Sequence, residues 1–408
     1  MEKIAENLQA CYEIFLSLKL GSNGMKIPFL RPSPPRLSEL LGDLIQIEKS
    51  GIFTNFGPMN TRLEGEATRR FFGGAGGCIT VNNATIGLML AMAEAVGGRA
   101  SGRRYAVMPS FTFAATAQAA MWVGLTPLFC DVDPHTWLAC PDSENALLEQ
   151  YGDDIALIVP YATFGNNLDL GRYEKIVRER GVPVVVDAAA SLGSIGADGF
   201  GFGYGSSFSI VFSMHATKTF ATSEGGMIYS ADEDRRNRLR AMANFGFSAP
   251  RTATMLGLNG KLSEVSALIA LERLRSFDAI VEHRANLAKA YRDALKPVFG
   301  FQQARGRRLA YQFMPALLPA KSAGRRKDII AELEEVGIGV ASYFSPHLAE
   351  QSFFQNNCVA GDLPHTTAIS RRILSLPMAD IMTLGEVDRV VESLMRAVGH
   401  EATMGEEA

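Results

Sequence analysis

RYAVMPSFTFAATAQAAMWVGLTPLFCDVD, residues 104 to 133, holds two short apolar runs on either side of an alanine-rich segment. RYAVMP (104 to 109) and TPLFCDVD (126 to 133) have strand character, and AATAQAAMWVG (114 to 124) has helical character. Strand, helix, strand in that order is the unit of a mostly parallel sheet covered on both faces. The rhythm returns in ALIVPY (156 to 161), EKIVRERG (174 to 181) and PVVVDAA (183 to 189). An α/β fold with a three-layer main domain is therefore expected.

Two further strand candidates, SFSIVFSM (207 to 214) and GGMIYS (225 to 230), have no long helix between them, so the spacing predicts an antiparallel pair joined by an ordered loop. After Asn259 the pattern becomes a long helix, LSEVSALIALERLRSFDAIVEHRANLAKAYRDAL, expected to bridge two domains. Beyond Pro297 come a strand candidate (YQFMPALLP), a helix (DIIAELEEVG, with Gly337 as C-cap) and a last helix (GEVDRVVESLMRAVG), which suit a smaller α+β domain. The expected division is a peripheral extension over 1–25, a large domain over 26–275, a small domain over 276–400 and a tail over 401–408.

Bulk properties narrow the function. The 408 residues, 47% of them hydrophobic, can bury one large core and a second smaller one. A formal charge of -3 without blocks of like charge offers no basic face to nucleic acid or anionic lipid. The N-terminus is acidic where a secretory signal is basic, and no uncharged apolar run approaches the roughly 18 residues of a membrane span, so a cytoplasmic protein is expected. Five scattered cysteines with no C-x-x-C suggest neither a disulfide framework nor a zinc site, and no metal is expected.

FSMHATKTFATSEGG (212 to 226) carries the chemistry. A buried-looking strand runs into Ser213, His215 and Lys218, and a lysine just past such a strand is poorly solvated. Burial lowers its pKa and leaves more of the neutral amine that attacks an aldehyde. Asp187 ends VVVDAAA at the sheet edge where open α/β folds bind ligands, and a carboxylate there can pair with a protonated ring nitrogen. TVNNATIGLMLAMAEAVGG (80 to 98) is a polar turn opening an apolar helix ended by Gly97 and Gly98, so the N–H groups of Ala84 and Thr85 make an anion site suited to phosphate. An ordinary N-cap by Asn83 or Thr85 is the simpler explanation of the same turn. Phe113, past a strand end, can lie flat on a ring or belong to the core. Neither GGAGG (73 to 77) nor GFGFGYG (199 to 205) forms a strand-GxGxxG-helix unit.

Taken in chain order, SGIFTNFGP (50 to 58), NNATIGLMLA (82 to 91), PSFTFAATA (109 to 117) with GLTPLFCDVDPHTW (124 to 137), VVVDAAASLG (184 to 193), FSMHATKTFATSEGG, LGLNGKLSEVSALIALERL (256 to 274) and ILSLPM (373 to 378) resemble the DegT/DnrJ/EryC1/StrS family of sugar aminotransferases, from about Ile27 to Ala397. The resemblance implies the aspartate-aminotransferase type of fold and the cofactor pyridoxal 5'-phosphate. It implies that Lys218 is the Schiff-base lysine, Asp187 the partner of the pyridine nitrogen and Phe113 the ring-stacking aromatic. Ala84 and Thr85 would give backbone amides to the phosphate, Ser213 a hydroxyl, and Asn259 a contact to the phosphate of the neighbouring subunit. It further implies a homodimer with shared sites, an amino donor (L-glutamate) and a keto-sugar acceptor, generally nucleotide-linked, used in ping-pong order.

Four positions depart from the family pattern. The usual D-A-A-[QH] ends in Ala190, the G-T of the phosphate turn is Ala84-Thr85, V-H-x-x-G reads Tyr161-Ala162-Thr163-Phe164-Gly165 after Pro160, and P-L-H reads Pro346-His347-Leu348. They gather on the substrate side rather than around the lysine. Two alternatives stay open: a sugar dehydratase of the same fold, although those carry histidine where Lys218 stands, and a noncatalytic regulator that retains the fold. His215 is given no catalytic role.

Overall fold

The computed structural model describes residues 26–97 and 102–399; the expected extension over 1–25, Gly98 of the expected helix end and the tail over 401–408 lie outside the described residues. The main sheet is built from β1 (Gly77–Val81), β2 (Tyr105–Pro109), β3 (Thr126–Cys130), β4 (Ile155–Ile158), β5 (Val185–Asp187), β6 (Ser209–Ser213) and β7 (Gly226–Ser230). Ladders give the runs β1-β7-β6-β5 and β3-β2-β4. Parallel bridges Ile158–Val184 and Tyr161–Asp187 join them into one sheet. Within it β7 alone runs against its neighbours β1 and β6, as expected for the strand that follows β6 without a helix.

Helices α1 (Ala84–Ala95), α2 (Ala114–Trp122), α3 (Pro141–Tyr151) and α4 (Leu170–Arg180) connect the parallel strands. The strands are buried on both faces and read as continuous apolar runs for that reason. α1 and α2 are apolar nearly all round because they lie between the sheet and further protein. A Cβ on Gly87 would come within 3.0 Å of Val211 and 3.1 Å of Val81, so the glycine lets α1 sit close on β6 and β1.

α5 (Glu264–Leu295) joins two cores. Ala267, Leu271, Phe277 and Val281 pack beneath the main sheet, whereas Leu287, Tyr291 and Leu295 pack with a second cluster. That cluster covers β8 (Met314–Leu317), paired antiparallel with β10 (Ile373–Leu376), and helices α6 (Arg326–Glu335) and α7 (Leu384–Ala397). A two-residue strand, β9 (Val359–Ala360), instead extends the main sheet along β3. Ile27 also belongs to the second cluster, and its N–H donates to the Gly337 carbonyl at 3.0 Å. Among the described residues no helix is long and apolar enough to cross a membrane.

Phe277 of α5 meets Phe71 and Phe220 edge-on, with centroids 5.7 and 4.9 Å away. Its full burial makes it a test of the α5 seam. Phe277→Ala should lower unfolding stability by about 3–5 kcal/mol, read as a lower denaturant midpoint by circular dichroism.

Candidate active site

β1 runs antiparallel to β7 and β7 antiparallel to β6, so β1 and β6 point the same way. β5 is parallel to β6, and all three deliver their carboxyl ends to one edge of the sheet. That edge opens on a cavity of about 920 Å³ whose lining includes Ala84, Thr85, Phe113, Asp187, Ser213 and Lys218. Residues up to 134 positions apart in sequence thus meet in one place.

The segment after β6 is folded by its own backbone. Met214 N–H donates to Gly225 at 2.9 Å, Ala216 N–H to Ser223 at 3.1 Å, and Lys218 N–H to His215 at 2.9 Å. Nζ of Lys218 then enters the cavity, where burial pushes its pKa from the usual 10.5 down to about 8 against the opposing pull of Asp187. At pH 7 roughly a tenth of such an amine is neutral, against fewer than about one in a thousand for an ordinary lysine.

Asp187 is buried at the end of β5. Burial raises its pKa, while the Thr116 hydroxyl, the Ala189 amide and the charge of Lys218 pull the other way. Thr116 Oγ1 donates at 2.5 Å to one carboxylate oxygen, and Ala189 N–H donates at 3.0 Å to the other. A carboxylate has about four acceptor positions, so capacity remains for a donor in the cavity.

At the start of α1, Asn83 is the N-cap and its Oδ1 accepts from Ile86 N–H at 2.9 Å. The capping reading is therefore realised. Asn83 takes Ile86, and among the described residues no hydrogen bond uses the N–H of Ala84 or Thr85. Alanine is tolerated at 84 because the helix already begins there. The glycine is needed across the gap: a Cβ on Gly226 would lie 2.7 Å from the Ala84 nitrogen, and Gly226 pairs with both Val81 and Ser213. Ser213 Oγ lines the same corner, with His215 N–H donating to it at 3.3 Å.

Phe113 caps α2 at the cavity and is 58% exposed, which removes it from the core. Asn259 is exposed and does not line this cavity. Ala190 is buried outside the lining, where Ala189 takes its place. His347 bonds Ser110 Oγ through Nδ1 at 2.8 Å and packs away from the cavity. His215 folds its Nδ1 back onto Thr217, whose N–H donates to it at 3.2 Å, a turn-closing role.

Sequence reading missed Thr116, which holds Asp187, and Gln312, Phe313, Tyr343 and Phe344, which line the cavity beside Tyr161 and Phe164 of the departing V-H-x-x-G stretch. The ring of Phe164 stacks on that of Phe344 at 5.4 Å and 11°. A lone threonine in an alanine-rich helix and a lone glutamine opening an apolar strand were the only signals.

A part-buried amine and a buried carboxylate beside an unpaired helix start, at the carboxyl edge of this strand order, make a site suited to Schiff-base chemistry on an anionic ring compound. The chain belongs to the DegT/DnrJ/EryC1/StrS aminotransferase family, whose defining sequence pattern matches residues 37–395. It is 36% identical over 381 residues to Protein MT3510 of Mycobacterium tuberculosis (strain CDC 1551 / Oshkosh), covering 92% of this chain and 91% of the relative. A crystal structure from Bacillus cereus ATCC 10987 superposes with a TM-score of 0.85 at 38% identity, covering 90% and 99% of the two chains. That of DesI, crystallised in the presence of its TDP-sugar product, gives 0.81 at 30% identity, covering 92% and 94%.

With Lys218 at about 8, its acylation by a small neutral reagent in the cofactor-free protein should rise to half its plateau near pH 8. Asp187→Asn removes the charge that favours the ammonium and should lower that midpoint. Peptide mass spectrometry across a pH series reads both.

Proposed function

We propose that this aminotransferase moves the amino group of an amino acid, L-glutamate, to a nucleotide-linked keto sugar in two half-reactions at one site. One observation carries the reading: Lys218 and Asp187 line the cavity that also receives the free N–H groups of Ala84 and Thr85. The residues fit the family's cofactor, pyridoxal 5'-phosphate. When bound, it supplies an aldehyde that condenses with amines and a ring that accepts the electron pair released at the donor's Cα.

The chain's residues then divide the work. Ala84 and Thr85 N–H, with the Ser213 hydroxyl, bind the phosphate at the positive end of α1. Asp187 holds a proton on the ring nitrogen, its orientation fixed by Thr116 and Ala189. Phe113 orients the ring by stacking. Lys218 Nζ, its pKa lowered by burial to about 8, would move the proton released at the donor Cα. The likeness to DesI supports a nucleotide-linked acceptor. The amine retained at position 218 disfavours the dehydratase reading, and the intact lysine, aspartate and phosphate turn disfavour a noncatalytic regulator.

The site is proposed to be shared in a homodimer, with Asn259 reaching the partner's phosphate. Leu256, on the Asn259 loop, is 57% exposed, which supports a second copy covering this loop.

Lys218→Ala should reduce turnover by about a thousandfold or more. Supplied with L-glutamate and a panel of keto sugars, the parent enzyme should form 2-oxoglutarate with nucleotide-linked hexoses. Product with keto acids alone would exclude the sugar reading. Mixed dimers of Lys218→Ala and Asn259→Ala subunits should recover activity that neither variant has alone, because one of their two sites combines both intact residues.

A further inference from the structure

Lys218 Nζ donates a 3.1 Å hydrogen bond to Oε1 of Gln312, a residue 94 positions away just before β8. The Gln312 amide nitrogen lies 3.5 Å from Thr217 Oγ1, which meets His215 Nδ1 at 2.8 Å. Behind the amide, Arg284 donates to the backbone carbonyls of Tyr311 and Gln312. Arg284 and Arg273 both pair with Asp380 at 2.6 Å, and Arg273 also donates to the Thr219 carbonyl. No side chain in this Arg–Asp–Arg cluster is more than 8% exposed. One buried cluster therefore holds both the residue after Lys218 and the residue facing its amine.

We propose that Gln312 is a positioning residue: its carbonyl oxygen engages an N–H of the Lys218 amine and leaves the nitrogen lone pair free to face the cavity. The inference rests on Lys218 being the reacting amine. A neutral acceptor suits this task because it steers the nitrogen without supplying charge. Asp187 on β5 already faces the amine, Arg273 and Arg284 on α5 approach from behind with Asp380 between them, and Tyr161, His215 and Glu224 line the cavity. Burial lowers the pKa of this amine against the opposing pull of Asp187. A glutamate at 312 would set a second carboxylate against the amine and favour the ammonium.

Two variants of nearly the same shape test this with opposite signs. In the full-length protein without cofactor, the pH midpoint of Lys218 acylation should rise by about one unit or more in Gln312→Glu, since a facing carboxylate favours the ammonium. Gln312→Leu, which removes an acceptor from the ammonium, should lower the midpoint by a few tenths of a unit. In the loaded enzyme, kcat should fall about tenfold or more in both, with KM for the amino donor within about threefold. In an enzyme that binds pyridoxal phosphate, displacement in opposite directions with loss of kcat supports the placement, and any other pattern overturns it. If the midpoints separate but the protein takes up no pyridoxal phosphate, Gln312 still holds the amine and the proposed function fails. If amino transfer proceeds while the midpoints stay together, the proposed function survives and the role of Gln312 does not.

Discussion

The structure turns on a part-buried lysine and a buried aspartate at the edge of one cavity. Removing two charges from water costs several kcal/mol each, and mutual attraction repays this only when neighbouring groups supply hydrogen bonds. Here they do: Thr116 and Ala189 hold the carboxylate, and Gln312 holds the amine. The two pKa values are pushed together, the acid upward and the base downward, both through burial. Displaced values of this kind suit groups that must exchange protons near neutrality.

Sheet order makes the encounter possible. The reversal at β7 allows β1 to run with β5 and β6, so the turn into α1 opens beside the strand ends that carry Asp187 and Ser213. Gly226 then permits backbone contact between β7 and that turn, where any side chain would strike the Ala84 nitrogen. α5 ties the arrangement to the second core, bringing Arg273 and Arg284 against the backbone on either side of Lys218.

Much of this was legible in the sequence, for physical reasons. Parallel strands buried on both faces read as apolar runs, which is why β2 to β6 were found, and the missing helix before β7 revealed its reversal. Lys218, Asp187, Ala84 and Thr85 stand at strand or helix ends, where local pattern already locates them. Thr116 and Gln312 could not be read in this way. Their roles arise from contacts spanning 71 and 94 residues, and nothing in the local composition encodes a partner at that distance. The aromatic wall was legible only in part: Tyr161 and Phe164 stood in the departing V-H-x-x-G stretch, whereas Phe313 and Phe344 join them only through the fold. Asn259 remains outside the cavity of its own chain.

The most direct measurement of the central claim is to saturate the purified protein with pyridoxal phosphate, reduce it with borohydride and map the modified peptide by mass spectrometry. The account predicts that the phosphopyridoxyl mass is fixed on Lys218 and that equimolar L-glutamate, added before reduction, diminishes it. Label fixed on another lysine, or none above that of a denatured control, would contradict it.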